Sequence, residues 1–247
     1  MNRPITAFAS IALVFAIFAP SLRAANSIGA VVQATDYDAV NKVTTVHILN
    51  TSLKEISAID LSIQVTFADG TQSLLGSSFQ GADFLGGITN GGGGIAPGAT
   101  FDQEFRGQEG PVHATIDVVI YTDGTADVLN ESVFKSLIAD RKGRVRGLQK
   151  VDELLSAALA DPVVEDPGAT TAAQLKSLVA RAKHDGNTDE GTAGYEGELQ
   201  GAIQNLSHAP AGWSEREDNR LRAYIKTNEQ QISLMLPHTE VTGTRPT

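Results

Sequence analysis

The chain has 247 residues, a formal net charge of −10, no cysteine and 41% hydrophobic residues. This length suits two modest domains, and this composition fits neither a disordered chain nor a protein with several membrane spans. The lack of cysteine excludes disulfides, thiolate metal ligands and cysteine nucleophiles. The acidic balance argues against a nucleic-acid partner, because contacts to phosphate need a basic surface.

Residues 1–24 have the layout of a secretory signal peptide. Arg3 gives a positive start, Ile5–Phe18 is an almost continuous apolar run, and Leu22-Arg23-Ala24 ends on a small residue. The run is shorter than the ~20 residues that span a bilayer. We therefore expect an exported protein, periplasmic or extracellular, that starts at Ala25 and is not stably inserted in a membrane. Export without cysteine is typical of bacterial proteins. An uncleaved anchor is the alternative.

Residues 25–128 carry the signals of a β-sandwich with mostly antiparallel strands. Every second residue of Ile59–Phe67 is apolar, which predicts a strand with one buried face. Val112–Tyr121 alternates in the same way, and both strands run into an Asp-Gly pair suited to a tight turn. Shorter β-branched or aromatic runs complete the set: Ile28–Thr35, Val43–Asn50, Thr100–Phe105 and Thr125–Val128.

Four segments carry a shared pattern of strand ends and turns: Ile48-Leu49-Asn50-Thr51-Ser52, Phe67-Ala68-Asp69-Gly70, Ala96-Pro97-Gly98 and Val119-Ile120-Tyr121-Thr122-Asp123-Gly124-Thr125-Ala126. A long predicted helix follows the last one. Together they resemble the immunoglobulin-like β-sandwiches of uncharacterised secreted bacterial proteins, over about residues 27–160. The resemblance implies an immunoglobulin-like fold for 25–128 and no particular activity, because turns and strand ends serve the fold.

Residues 129–236 read as a helical region, because apolar residues recur there every three or four positions. The first helix begins after Asn130 as its N-cap and ends near Asp161-Pro162. Three further helices are predicted, at Thr171–Lys183, Tyr195–Leu206 and Ser214–Leu236, the last with a Ser214/Glu217 capping box. Residues 237–247 are expected to be a disordered tail.

The outer face of the second long strand is one predicted binding surface. His113 and Asp117 share the polar side of Val112–Tyr121. They are two pleats apart, about 13 Å by strand rise, which is too far for a catalytic dyad. The glycine-rich segment 86–94 is expected beside them, either as an inter-strand loop or as a flap over the surface.

Residues 141–146 form the one basic cluster of this acidic chain. At 100° per residue, Arg141 and Arg144 fall on the apolar stripe of the first predicted helix. Two interpretations are open. The arginines pair with acids of the sandwich or of a later helix, or they form a clamp for an anion at the junction between the two parts.

A candidate calcium site lies between the second and third predicted helices. Four oxygen-bearing side chains occupy positions 1, 3, 5 and 12 of an EF-hand loop: Asp185, Asn187, Asp189 and Glu196. Position 6 is Glu190, where such a loop needs glycine, and position 8 is Thr192, where an apolar residue is usual. These departures favour a hydrated acidic loop that binds no metal, and a calcium site is the alternative.

The sequence contains no local catalytic motif: no His-x-x-x-His pair, no Gly-x-Ser-x-Gly elbow and no phosphate-binding loop. We therefore expect a non-catalytic binding or structural protein without a cofactor, whose partner is a protein, a peptide or a glycan. The alternatives are a calcium-binding module built on residues 185–196 and a hydrolase whose two carboxylates meet only in the folded chain.

Overall fold

The described residues form two β-sheets and four α-helices, and the helices lie between β8 and β9 along the chain, which confirms the expected β-plus-α class with mostly antiparallel strands. The computed structural model describes residues 28–67, 69–74, 82–86, 94–107, 110, 112–184, 191–207 and 215–245. The predicted signal peptide, residues 1–24, lies outside these ranges. Within them, no helix combines the length and the apolar character that crossing a membrane requires.

The strands of the described chain form a smaller and a larger sheet. They are β1 (Ala30–Asp38), β2 (Val43–Asn50), β3 (Ile56–Thr66), β4 (Gln72–Leu74), β5 (Ala82–Asp83), β6 (Thr100–Arg106), β7 (Val112–Tyr121), β8 (Thr125–Val128) and β9 (Thr242–Thr244). The smaller sheet has the order β1-β2-β6, and the larger has β4-β3-β7-β8-β9 with β5 paired to β3. Only the β8–β9 pair is parallel among these strand pairs.

The core between the sheets follows the predicted alternation of β3. Leu61, Ile63 and Val65 are buried in one cluster with Val46 and Ile48 of β2, so the two sheets share a single apolar layer. The inward position that the sequence predicts for Ile63 is confirmed. This layer contributes the main favourable term of folding for the β part, since burial of apolar surface contributes about 25 cal/mol per Å².

The face assignment of β7 changes at Asp117. The pairing of β7 with β3 skips this residue, which makes it a bulge. Ile116 still faces the core between the sheets, but Val118 and Ile120 point to the opposite side and Val119 takes the inward position. The prediction that Val112, Ala114, Ile116, Val118 and Ile120 share one face is therefore wrong from Val118 onwards, because one extra residue inverts the alternation.

The helices are α1 (Glu131–Ala160), α2 (Pro167–His184), α3 (Thr192–Ser207) and α4 (Glu215–Met235), and a 3-10 turn (Leu236–Thr239) follows α4. Asn130 caps α1 as predicted, since its side chain accepts a hydrogen bond from the Val133 amide. The start of α1 packs on the outer face of the larger sheet through Leu137. Its second half packs against α2, α3 and α4, and Val151 and Leu155 lie in the apolar core that these helices share.

Residues 237–245, for which the sequence predicts part of a disordered tail (237–247), continue the 3-10 turn and form β9 in the structure. Val241 packs against the apolar cluster under α1, and β9 pairs with the edge strand β8. The Thr242 amide donates to the Gly124 carbonyl at 3.1 Å. The composition of this segment is polar, so the sequence gives no apolar pattern for it. A strand edge provides hydrogen bonds that do not depend on side-chain type.

Candidate functional site

His113 and Asp117 do not form a shared site. His113 is exposed and lies opposite Gln64 of β3. Asp117 accepts a hydrogen bond from the Ser62 hydroxyl at 2.6 Å, and its carbonyl accepts from the Leu129 amide at 2.9 Å. The side chain and backbone of Asp117 therefore hold the bulge and the entry into α1. The predicted binding role of this outer face stays a prediction.

Arg141 is fully buried and holds a carboxylate of the β part. Its side chain is 0% exposed, and the side chain of Asp83 on β5 is 11% exposed. Nε and Nη2 donate to the two Asp83 oxygens at 2.8 and 3.0 Å, a bidentate pair. Nη1 lies 3.5 Å from the His238 carbonyl. The guanidinium is buried and paired with an acidic residue of the same chain. This favours the ion-pair interpretation of Arg141 over the anion clamp.

Arg144 also has an internal partner, one turn along the same helix. Its Nε donates to Glu198 on α3 at 2.9 Å, and both side chains are about one-fifth exposed. Asp140 lies beside this pair, and burial raises its pKa above the ordinary value, while Arg144 opposes the change. These contacts join α1 to α3. They explain why arginines lie on an apolar stripe.

The predicted calcium loop lies mostly outside the described residues. Asp185, Asn187 and Asp189 are in the segment 185–190, of which nothing is described, and Glu196 lies half-buried in the first part of α3. Among the described residues, no three carboxylate or histidine side chains are grouped as a metal site would need. The calcium site therefore stays a prediction.

A groove between α1 and the 3-10 turn is one concave feature of the described helical residues. Its volume is about 510 Å³. It is lined by Val145 of α1, which is buried, and by Leu236 of the turn, which is 51% exposed. The remaining lining residues are Ala139, Lys142, Arg146, Gln149 and Thr239.

The groove carries positive charge in an acidic protein. Lys142 and Arg146 are exposed and lie one helical turn apart on α1, and neither takes part in an ion pair with another described residue. Like charges at this spacing repel each other by a few tenths of a kcal/mol. Gln149, one turn beyond Val145, adds an amide that can donate and accept. The groove therefore favours a ligand that brings negative charge and apolar surface together.

The groove was not predicted from the sequence, because it is lined by Lys142 and Arg146 and not by the two predicted members of the basic cluster, Arg141 and Arg144. Arg141 and Arg144 lie on the buried side of α1, whereas Lys142 and Arg146 lie on the side that the turn leaves open. The helical spacing of 100° per residue already places Lys142 and Arg146 on the polar face of the helix. Residues on that face are the ones that a ligand can reach. The opposite wall could not be predicted, because it comes from the segment expected to be disordered.

A histidine between two carboxylates is a further polar feature, on the outer face of the smaller sheet. The His47 Nδ1 atom is 2.7 Å from Asp102, and its Nε2 atom is 3.1 Å from Asp36. Hydrogen bonds, first to Asp102 and then to Asp36, raise the pKa of His47 above its ordinary value. The two carboxylates use opposite ring nitrogens, so these three groups tie three neighbouring strands together and do not converge on one point.

No protein family, curated protein or solved structure matches this chain.

Proposed function

We propose that this protein is an exported, non-catalytic binding protein whose groove between α1 and the 3-10 turn binds an acidic peptide segment. The observation that carries the proposal is the pair Lys142 and Arg146 beside the apolar Val145 and Leu236. A carboxylate held between the two cations relieves their repulsion and gains charge-assisted hydrogen bonds. An apolar side chain of the same peptide then covers Leu236.

A peptide suits this groove better than a glycan. The described residues that line it include aliphatic side chains and no aromatic ring. Aliphatic surface next to cations matches a chain in which carboxylates alternate with leucine-like side chains. Peptide segments bound in this way place anchor side chains in an apolar groove and use charges at its rim.

For the β part we propose an immunoglobulin-like sandwich. The strand order supports this, because β1, β2 and β6 correspond to strands A, B and E, and β4, β3, β7 and β8 to C′, C, F and G. Such domains serve as rigid scaffolds in many unrelated proteins, so the fold alone names no ligand. For the compartment, residues 1–24 support export. We expect mass spectrometry of the exported protein to find Ala25 at its start, and a retained Met1–Ala24 segment would contradict this.

The binding proposal is tested with a labelled peptide of alternating glutamate and leucine, followed by fluorescence anisotropy. We expect Lys142→Gln with Arg146→Gln to weaken binding at least about tenfold, since one lost charge-assisted contact already costs that much. The control is Lys176→Gln with Arg216→Gln, which removes the same charge from exposed positions on α2 and α4. It should change the affinity less than about twofold, by screening of distant charges.

A second control changes the ligand. A peptide with glutamine in place of glutamate should bind at least about tenfold more weakly to the unchanged protein. Equal affinity for both peptides, or an equal loss in the two double variants, would contradict a specific role of the groove. Absence of binding to either peptide would overturn the proposed function.

A further inference from the structure

His238 lies at the place where the 3-10 turn meets the buried ion pair. Its Nδ1 atom is buried and has no hydrogen-bond partner, and its carbonyl oxygen lies 3.5 Å from Nη1 of Arg141. The neighbouring residue Thr239 is buried, and both it and Leu236 line the groove. The backbone of His238 is therefore part of the contact that holds the 3-10 turn on α1, and one nitrogen of its ring is buried without a partner next to that contact.

The surroundings of His238 favour its neutral form. Burial, followed by the positive charge of Arg141, lowers the pKa of His238 from its ordinary value, and Asp83 partly opposes this. Of the other charged groups nearby, Lys142 lines the groove beside Thr239, and Glu240 follows the turn and is exposed. A proton on His238 would place a second positive charge next to Arg141, whose carboxylate partner is already used in a bidentate pair.

We propose that His238 is a pH-sensitive latch: its neutral ring keeps the 3-10 turn and β9 docked, and its protonation releases them from α1 and β8. Release removes the Leu236 and Thr239 wall of the groove, so that ligand binding weakens in acid. The effect on binding rests on the function proposed above. The release itself does not, because it depends only on contacts within the chain.

The sign of the pH dependence follows from linkage. The docked state binds a proton on His238 less tightly than the released state, in which the ring is solvated. The docked state is therefore fully favoured above the ordinary histidine pKa, and its advantage is lost as the pH falls through that value towards the lower pKa of the docked ring. An exported protein would meet such a change when the medium becomes acidic.

Hydrogen exchange measures the release directly. In the full exported chain, we expect the opening of the segment 239–244 to become at least about threefold more frequent between pH 7.5 and pH 5.5, after correction for the intrinsic exchange rate. His238→Gln keeps a polar side chain that does not titrate and should abolish the difference. His113→Gln removes an exposed histidine from β7 and should leave it unchanged. The same response in His238→Gln, or none in the unchanged protein, would overturn the latch.

An NMR titration of the imidazole protons tests the latch without relying on the stability of a variant. We expect the His238 ring to titrate below the ordinary range of a solvated histidine, and an equal or higher midpoint would overturn the proposal. Peptide binding then separates the two proposals. If the segment opens in acid but the glutamate–leucine peptide binds at neither pH, the latch stands and the proposed function fails. If the peptide binds and the segment does not open in acid, the latch fails alone.

Discussion

At the scale of single residues, Asp152 shows how burial changes a titration. It lies on α1 and accepts a hydrogen bond from the Asn228 amide on α4 at 2.7 Å, while its second oxygen is buried without a hydrogen-bond partner. Burial raises the pKa of Asp152 to about 6, although the bond from Asn228 opposes this. The ionised carboxylate therefore destabilises the folded helical region at neutral pH.

We expect Asp152→Asn to stabilise the protein at pH 7.5 by about 1 kcal/mol, a value reduced for solvent screening of a half-buried group. Because the pKa of Asp152 is raised on folding, its protonated carboxyl stabilises the folded state of the unchanged protein at low pH. This stabilisation should be lost as the pH rises from the ordinary aspartate range through about 6. Urea unfolding at pH 5 and 7.5 measures both effects. Glu153→Gln is the control, since Glu153 is exposed beside Lys150 and should matter by less than about 0.5 kcal/mol.

At the scale of elements, α1 and α3 approach so closely that a glycine is required. A Cβ atom at Gly143 would lie 1.9 Å from the Gly191 carbonyl oxygen, and one at Gly147 would lie 2.8 Å from the Cβ of Glu198. Read along the sequence, these glycines weaken the prediction of a continuous helix, because glycine disfavours helix interiors. The structure shows that α1 continues through both glycines. Glycine is needed at these positions because α3 and the residue before it leave no room for a Cβ atom.

We expect Gly143→Ala to destabilise the protein by at least about 2 kcal/mol, because a backbone carbonyl cannot move aside cheaply. Gly201→Ala is the matched control: Gly201 is exposed on α3, and nothing lies within 4 Å of the added carbon. This change should stabilise the helix by about 0.5–1 kcal/mol through helix propensity. Thermal unfolding of both variants measures the contrast, and a stabilising Gly143→Ala would contradict the close approach of the helices.

At the scale of the whole molecule, the pair of Arg141 and Asp83 joins the helical region to the larger sheet. We expect Arg141→Met to cost about 3–5 kcal/mol, because it leaves the Asp83 carboxylate buried without a partner of opposite charge. Adding Asp83→Asn removes the charge and still allows the bond from the Leu85 amide, so the double variant should recover much of the loss. Urea unfolding of the single and double variants gives the coupling between the two residues.

Arg144→Met is the comparison for a less buried pair. Its partner Glu198 remains partly solvated, so the expected loss is only about 1 kcal/mol. If both arginine variants lost the same stability, the special role of the Arg141 pair would be refuted.

The sequence by itself determined the parts of this protein that follow from local periodicity. The alternation of β3 and the cap at Asn130 both predict what the structure has, because a pleat and a helix end are recognised from a few neighbouring residues. The positions of Arg141 and Arg144 on the helix were consistent with two interpretations, pairing with acids of the same chain and an anion clamp. The structure has the internal pairs.

Only the tertiary structure decided which residues of the basic cluster face a groove and what forms its second wall. The bulge at Asp117 inverts the end of β7, and the polar segment after α4 is ordered by the edge of β8 and by the contact of His238 with Arg141. The physical reason is the same in each case. The partners are distant in sequence, and backbone hydrogen bonds and buried charges leave no periodic pattern along the chain from which they could be predicted.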